Sequence, residues 1–147
     1  RMDNLRAAIL RPQLADLETQ CERWNSRYRI LETLFNQSSA INIPARPDAE
    51  HFVASSIQFS LPGFTADEIQ DAVKRCGERG VILKWFGDDI PRDYTSRYDS
   101  WRYIEDMPQL PKTERILSTL LDMRIPLTFS EDDCTLIGEI IVEVVNG

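Results

Sequence analysis

The chain has 147 residues, a net charge of -7, 42% hydrophobic residues and 28% charged residues. This length is enough for one domain with a core, and the composition is ordinary for a globular protein. The acidic balance argues against a nucleic-acid partner, because phosphate binding depends on clustered Lys and Arg. No apolar run approaches the roughly 20 residues that span a bilayer, and no secretory leader is recognisable, so no membrane partner is expected.

Cysteine, histidine and lysine are scarce in this sequence. The three cysteines are odd in number and far apart, which predicts no disulfide framework and favours a reducing, cytoplasmic setting. A single histidine, His51, argues against a Ser-His-Asp triad and against histidine-rich metal sites. Fourteen of the seventeen basic residues are Arg, and the lysines are only Lys74, Lys84 and Lys112.

The first 35 residues predict one long helix. Bulky or apolar residues recur along one stripe at steps of three and four, namely Leu10, Leu14, Leu17, Cys21, Trp24, Tyr28, Leu31 and Phe35. Pro12 is expected to kink the helix or to mark a new start near it, because proline removes a helical hydrogen bond. We interpret the stripe as a surface that packs on the rest of the protein or on a partner subunit. Because residues 1–4 have the pattern of the first turn of a helix, we expect the chain to be part of a longer protein.

The middle of the chain predicts a strand, a helix and a second strand. A polar loop over residues 36–50 precedes a strand over 55–61, in which apolar and polar side chains alternate. Residues 65–68 form a capping-box pattern, which begins a helix. A second strand is predicted over 81–86.

The last part of the chain predicts a helix, a strand and a helix after a long loop over residues 87–111. The apolar residues of 116–121 predict the inward face of a short helix, and the alternation over 123–127 predicts a third strand, placed at an edge by Pro126. Ser130 begins the last helix. The predicted fold class is therefore α/β (α+β), with a long N-terminal helix and a small three-stranded sheet that helices cover on one side.

The segment from Lys84 to Tyr103 is the most unusual part of the sequence, since it holds two of the three Trp and three of the four Tyr residues. One interpretation is a ligand-facing loop in which Arg97 or Arg102 holds a carboxylate or phosphate. The other is a docking loop that packs on another domain or subunit. The two interpretations are compatible, and the sequence leaves both open.

Other polar features have simpler interpretations. Lys84 lies in the second predicted strand, where a desolvated lysine can act as a nucleophile but more often covers an apolar face with its stem. The acidic pairs at 88–89 and 132–133 fit a turn and a helix N-terminus. No metal site is predicted.

The opening sequence Arg1-Met2-Asp3-Asn4-Leu5-Arg6-Ala7-Ala8-Ile9, followed by Gln13-Leu14, resembles a motif of the DegT/DnrJ/StrS family. In that family a stretch like N-Y-R-M-x-x-x-x-A-A runs into a long helix, with Gln-Leu about a turn further on. The order of elements along the rest of the chain is similar to the family's C-terminal part. The resemblance implies a fold type I pyridoxal-phosphate aminotransferase that acts on keto-sugars or keto-cyclitols with an amino acid donor, as a homodimer.

The resemblance also implies roles for particular residues. Arg1 matches the arginine of the family motif, which implies contact with a cofactor or substrate anion in the partner's site. The aromatic loop is expected to wall the substrate site with Arg97, Tyr98, Trp101 and Arg102. The family's Schiff-base lysine belongs to the large domain, so we expect this chain to carry no catalytic residue. Many members have a His-Leu-Gln-like stretch where this sequence has no histidine, which leaves the acceptor open.

Three hypotheses remain at this point. In the first, residues 1–35 are an interface helix and residues 36–147 a small domain of an aminotransferase. In the second, the chain is a non-catalytic interaction module that uses the helix stripe and the aromatic loop. In the third, it belongs to a family member that has lost aminotransfer and dehydrates or only binds sugars.

Overall fold

The computed structural model of the protein describes residues 3–90, 105–106 and 108–147. Within these ranges the α/β (α+β) class is confirmed. The described residues form five helices and three strands, in the order α1 (Asn4–Ala15), α2 (Leu17–Phe35), β1 (Ser56–Ser60), α3 (Ala66–Glu78), β2 (Lys84–Trp85), α4 (Pro111–Leu117), β3 (Leu120–Arg124) and α5 (Glu131–Asn146). None of the helices in the described ranges has the length and apolar character to cross a membrane.

The N-terminal helix is divided in two. α1 continues through Pro12, and the break comes four residues later at Asp16, whose N–H bonds back to the carbonyls of Gln13 and Leu14. A new helix then begins at Leu17. Burial increases along the stripe, because α1 has no buried residue whereas the second half of α2 lies in the core. The predicted stripe therefore serves two different purposes.

The sheet is antiparallel in the order β1-β3-β2. Two predictions about its third strand were wrong. Leu120 and Leu121 belong to β3 and not to the preceding helix, and β3 lies in the centre of the sheet and not at an edge. Pro126 is compatible with a central strand because β3 ends before it, at Arg124.

The second strand is much shorter than predicted, with only Lys84 and Trp85 in the ladder. The preceding helix α3 ends in a Schellman motif, in which the N–H of Val81 bonds to the carbonyl of Cys76 (2.9 Å) and Gly80 adopts a φ of 85°. This left-handed residue turns the chain toward the sheet, but residues 81–83 stay out of the ladder.

The core lies between one face of the sheet and the helices α2, α3 and α5. Its largest fully buried side chains include Tyr28 and Phe35 from α2 and Phe59 and Leu121 from the sheet. Phe35 and Phe59 meet edge to face, with ring centroids 4.8 Å apart. The opposite face of the sheet carries polar and charged residues, and this face positions the candidate site.

Candidate functional site

The side chains that the sequence singled out for binding all lie outside the described residues. This holds for Arg1, predicted to contact the cofactor, and for Arg97, Tyr98, Trp101 and Arg102, predicted to contact the substrate. Their roles therefore stay predictions. The described residues nevertheless bring together a second set of polar groups, on the open face of the sheet.

One row of the sheet carries three polar side chains of different character. Gln58 on β1 and Lys84 on β2 are each paired in register with Asp122 on the central strand. Residues that face each other across antiparallel strands project from the same face, so the three side chains lie side by side. In the next row, Ser56 is paired with Arg124. The open face therefore has a carboxylate at its centre, with a lysine opposite it on β2 and an arginine two residues further along β3.

These side chains border a cleft of about 690 Å³. Its polar part is formed by the open-face residues, and its apolar part by Val81, Ile82, Met123, Phe129 and Ile137. The cleft exists because residues 80–82 line one side of it without joining the sheet, so the edge of β3 is not covered there by a neighbouring strand. We call this feature the open-face cleft.

Asp122 is the acid of the open-face cleft. It is only 9% exposed. No other residue in the described part of the chain forms a hydrogen bond or an ion pair with its carboxylate, although two basic residues are close in the ladder. Lys84 instead places its ammonium over the ring of Phe86, 5.3 Å from the centroid. An ammonium over an aromatic face is stabilised by the negative charge of the ring.

The other two lysines lie on helix surfaces. Lys74 is exposed on α3 and lies 3.8 Å from Glu78, one turn further along the helix. Lys112 is exposed at the start of α4. Neither lines the open-face cleft.

Two long side chains of α2 hold the segment between β3 and α5 in place. The Nε of Arg27 donates to the carbonyl of Phe129 (2.6 Å), and the Nε1 of Trp24 donates to the carbonyl of Ile125 (2.9 Å). Arg27 is 9% exposed, and its charge is solvated by backbone carbonyls, since it also donates to the carbonyl of Arg23. These bonds fix the apolar end of the open-face cleft.

The nucleophilic and metal-binding side chains do not form a reactive centre in the described ranges. Burial raises the pKa of the Cys76 thiol to about 11, and burial also raises the pKa of Cys134. A thiol with a raised pKa is a poor nucleophile at neutral pH. His51 is exposed in a loop, and the part of the chain described by the structure has no group of three His, Cys, Asp or Glu side chains suited to a metal.

The surface of α1 is unusually apolar for an exposed helix. Leu5 is 72% exposed and Leu14 is 68% exposed, and Ile9, Leu10 and Leu17 are also largely exposed. We call these five residues the α1 apolar surface. Single exposed apolar residues are common, but five within thirteen positions, four on α1 and Leu17 at the start of α2, suggest an interaction site.

The sequence analysis missed the open-face cleft because it assigned Leu120 and Leu121 to a helix. A signal was present: Leu121, Met123 and Ile125 alternate with Asp122 and Arg124, which is the pattern of a strand with one buried face. The register that brings Asp122 beside Lys84 could not be deduced, because it depends on the pairing of strands about 38 residues apart in the chain.

Comparison with known protein families gives one match over nearly the whole chain. A sequence profile of the DegT/DnrJ/EryC1/StrS aminotransferase family matches residues 1–142. Among curated proteins, none matches this sequence.

Several solved structures share the fold at low sequence identity. The chain is 21% identical to 3-amino-5-hydroxybenzoic acid synthase, with a TM-score of 0.71 over 95% of this chain and 38% of that one. It is 14% identical to a protein from Streptococcus pneumoniae assigned as a sugar aminotransferase and solved in its PMP form, with a TM-score of 0.78 over 99% of this chain and 36% of that one. For a DegT DnrJ EryC1 StrS aminotransferase from Brucella abortus, the identity is 19%, the TM-score 0.69 and the coverage 96% and 35%. The chain thus spans less than two fifths of the length of these proteins.

Proposed function

The chain belongs to the DegT/DnrJ/EryC1/StrS aminotransferase family, and from this premise we propose that it is the C-terminal domain of an aminotransferase that acts on a keto-sugar or a keto-cyclitol. The observation that carries the proposal is the family match over residues 1–142. The fold supports it, since the neighbouring structures include a protein assigned as a sugar aminotransferase. In this proposal the donor is an amino acid and the acceptor a small keto compound.

The family's enzymes use pyridoxal phosphate, which supplies the chemistry that labilises bonds at the amine carbon. The described residues do not fit this cofactor. Lys74 is exposed beside Glu78, Lys112 is exposed on α4, and Lys84 places its ammonium over the ring of Phe86, with no phosphate-binding loop among the described residues around it. We therefore assign the cofactor to the family's large domain, and this chain to the walls of the site.

Assembly is the second part of the proposal. The α1 apolar surface exposes five large apolar side chains, and we propose that it packs against the large domain or the second subunit of a homodimer. α2 anchors this surface to the small domain through its buried second half. A cytoplasmic location is proposed with it, and the three free cysteines agree with a reducing compartment.

Substrate contact is the third part of the proposal. It rests on Arg97 and Arg102, with Tyr98 and Trp101 beside them in the sequence and Arg1 reaching the partner's site. Because guanidinium groups bind carboxylates and phosphates in bidentate fashion, loss of either loop arginine should weaken substrate binding more than it weakens the fold.

The test is steady-state kinetics of the full-length enzyme. Arg97→Ala and Arg102→Ala are expected to raise KM for the acceptor about tenfold or more, which corresponds to roughly 1.4 kcal/mol of binding free energy. Arg115→Ala, an exposed arginine on α4, serves as the control and should leave KM unchanged. Unchanged kinetics in both loop variants would refute a substrate-binding role for this loop.

A second function is favoured by the α1 apolar surface, which would serve equally well in a non-catalytic interaction module. The absorbance spectrum of the cofactor distinguishes the two functions. When the full-length protein is treated with an amino donor and pyridoxal phosphate, the aminotransferase converts the cofactor's absorbance band, whereas an interaction module leaves it unchanged. A reduced aldimine mapped to Lys84 would contradict the assignment of the cofactor to the large domain.

A further inference from the structure

We infer that the open-face cleft binds a small zwitterion with an apolar body, such as a free amino acid with an apolar side chain. The inference concerns a binding site on the described residues and does not depend on the proposed aminotransferase activity. It rests on three features of the cleft, which are a largely buried acid with no partner among the described residues, two nearby basic residues and an apolar end.

The buried acid calls for a donor that the described residues do not supply. Asp122 is 9% exposed and its side chain lines the cleft. The carboxylate oxygens still reach water, because no fully buried side-chain oxygen in the described residues lacks a partner. A ligand that displaced this water would have to replace it with a cation or with hydrogen-bond donors. Since no described residue provides them, an ammonium group of a ligand in the cleft would stabilise this carboxylate directly.

The flanking basic residues select for a second, negative group on the ligand. Lys84 lies opposite Asp122 on the neighbouring strand, and Arg124 follows two residues later on the same strand and the same face. A ligand with a positive charge alone would be repelled by both. Neighbouring strands are about 4.8 Å apart, so an ammonium and a carboxylate on one carbon atom can reach Asp122 and Lys84 at the same time.

The apolar end of the cleft accounts for the body of the ligand. Val81, Met123, Phe129 and Ile137 line it, and Phe129 is held in place by the bond from Arg27. A volume of about 690 Å³ lies in the range of small-molecule sites. A polyol would leave this end unfilled, and a metal ion would find only one carboxylate, because the described residues contain no group of three metal ligands there.

The experiment is calorimetric titration of the full-length protein with N,N-dimethyl-L-phenylalanine. The protonated tertiary amine keeps one N–H donor and cannot form a Schiff base, so aldimine formation with the cofactor does not contribute to the signal, and the Asp122 and Lys84 variants separate binding in the cleft from binding elsewhere. The comparison probes are N,N-dimethylphenethylamine, which has only the positive charge, and 3-phenylpropionate, which has only the negative charge. We expect the zwitterion to bind at least tenfold more tightly than either.

Two variants assign the charges separately. Asp122→Asn should lower the affinity for the zwitterion and for the amine about tenfold or more, and it should leave the affinity for 3-phenylpropionate unchanged or increased. Lys84→Met should lower the affinity for the zwitterion and for 3-phenylpropionate, and it should leave the affinity for the amine unchanged. The matched controls are Asp48→Asn, in an exposed loop, and Lys74→Met, on the surface of α3, and both should bind as the parent does.

Three results would overturn the inference. They are absence of binding by the parent protein, equal binding of all three probes, and Asp122→Asn binding as the parent does. If Asp122→Asn does not fold, as judged by circular dichroism, the affinities of Lys84→Met for the three probes test the inference by themselves. If that substitution leaves 3-phenylpropionate binding unchanged, the inference is wrong. Failure of the kinetic test on the loop arginines would leave this result untouched.

Discussion

Two helical glycines show how strongly the effect of one methyl group depends on its neighbours. A Cβ at Gly138 on α5 would come within 2.5 Å of the Cδ1 of Leu34 and 3.3 Å of the Cδ2 of Leu31, both on α2. A Cβ at Gly77, near the end of α3, would meet nothing within 4 Å. Gly138 therefore permits the close approach of two helices, whereas Gly77 only weakens its own helix.

The same substitution should consequently have opposite effects at the two positions. Gly138→Ala is expected to lower the free energy of unfolding by about 1–2 kcal/mol, because displacement of Leu34 outweighs the gain in helix propensity. Gly77→Ala should raise it by about 0.5–1 kcal/mol. Urea denaturation followed by circular dichroism measures both. A stabilised Gly138→Ala would mean that Leu34 moves aside freely.

The first turn of α5 contains a titratable cap. The N–H and the hydroxyl of Ser130 both donate to the Asp133 carboxylate, each at 2.7 Å, and these bonds lower the pKa of Asp133. A carboxyl whose pKa is lower in the folded state stabilises the fold above its unfolded pKa. That contribution is lost as the pH falls through the folded pKa.

Asp133→Asn should therefore reduce the loss of thermal stability between about pH 5 and pH 2, because the variant has no charged cap to lose. At neutral pH it should melt below the parent, and the two melting curves should converge in acid. The control is Asp132→Asn, an exposed neighbour in the same turn. If the parent and Asp133→Asn lose stability in parallel on acidification, the cap does not titrate as described.

At the scale of elements, periodicity predicted the helices well and the strands less well. The capping box predicted at Thr65 is present, and Ser130, predicted to begin the last helix, does so with a capping box of its own. The pattern over 116–121 misled because Leu120 and Leu121 also fit helical spacing, and only pairing with β1 places them in a strand. Sheet contacts between distant segments override local pattern in this way.

An aspartate introduced into the first half of the N-terminal stripe should affect the free energy of unfolding much less than one introduced into the second half. In the 147-residue chain, Leu14→Asp is expected to change the free energy of unfolding by less than about 0.5 kcal/mol, because Leu14 is 68% exposed. Leu31→Asp, at a residue with no exposed surface, should prevent folding. Denaturation of the chain checks this contrast.

Sedimentation of the full-length protein then tests the α1 apolar surface. Leu14→Asp should shift it toward smaller species if the surface is a subunit interface. If the surface instead packs on the large domain, Leu14→Asp should lower the thermal stability of the full-length protein. If the variant sediments like the parent and also has the same thermal stability, the α1 apolar surface has no partner in the protein.

For the molecule as a whole, the sequence predicted the fold class, the three strands and the family, but not the candidate site on the described residues. The family followed from a local motif near the N-terminus. The open-face cleft arises from three segments that meet only in the folded chain, around Gln58, Lys84 and Asp122. Charges on adjacent strands become neighbours through register, which a sequence read by itself does not specify.

The bonds from α2 to the segment before α5 have a consequence for biosynthesis. Trp24 and Ile125 are separated by 101 positions, and Arg27 and Phe129 by 102. While a ribosome is making this part of the protein, Tyr28 and Phe35 can meet Phe52 and Phe59 before α5 exists, but the side of α2 that packs on α5 stays uncovered until α5 has emerged. At about 5–20 residues per second, that side is therefore available for seconds to chaperones or to other nascent chains.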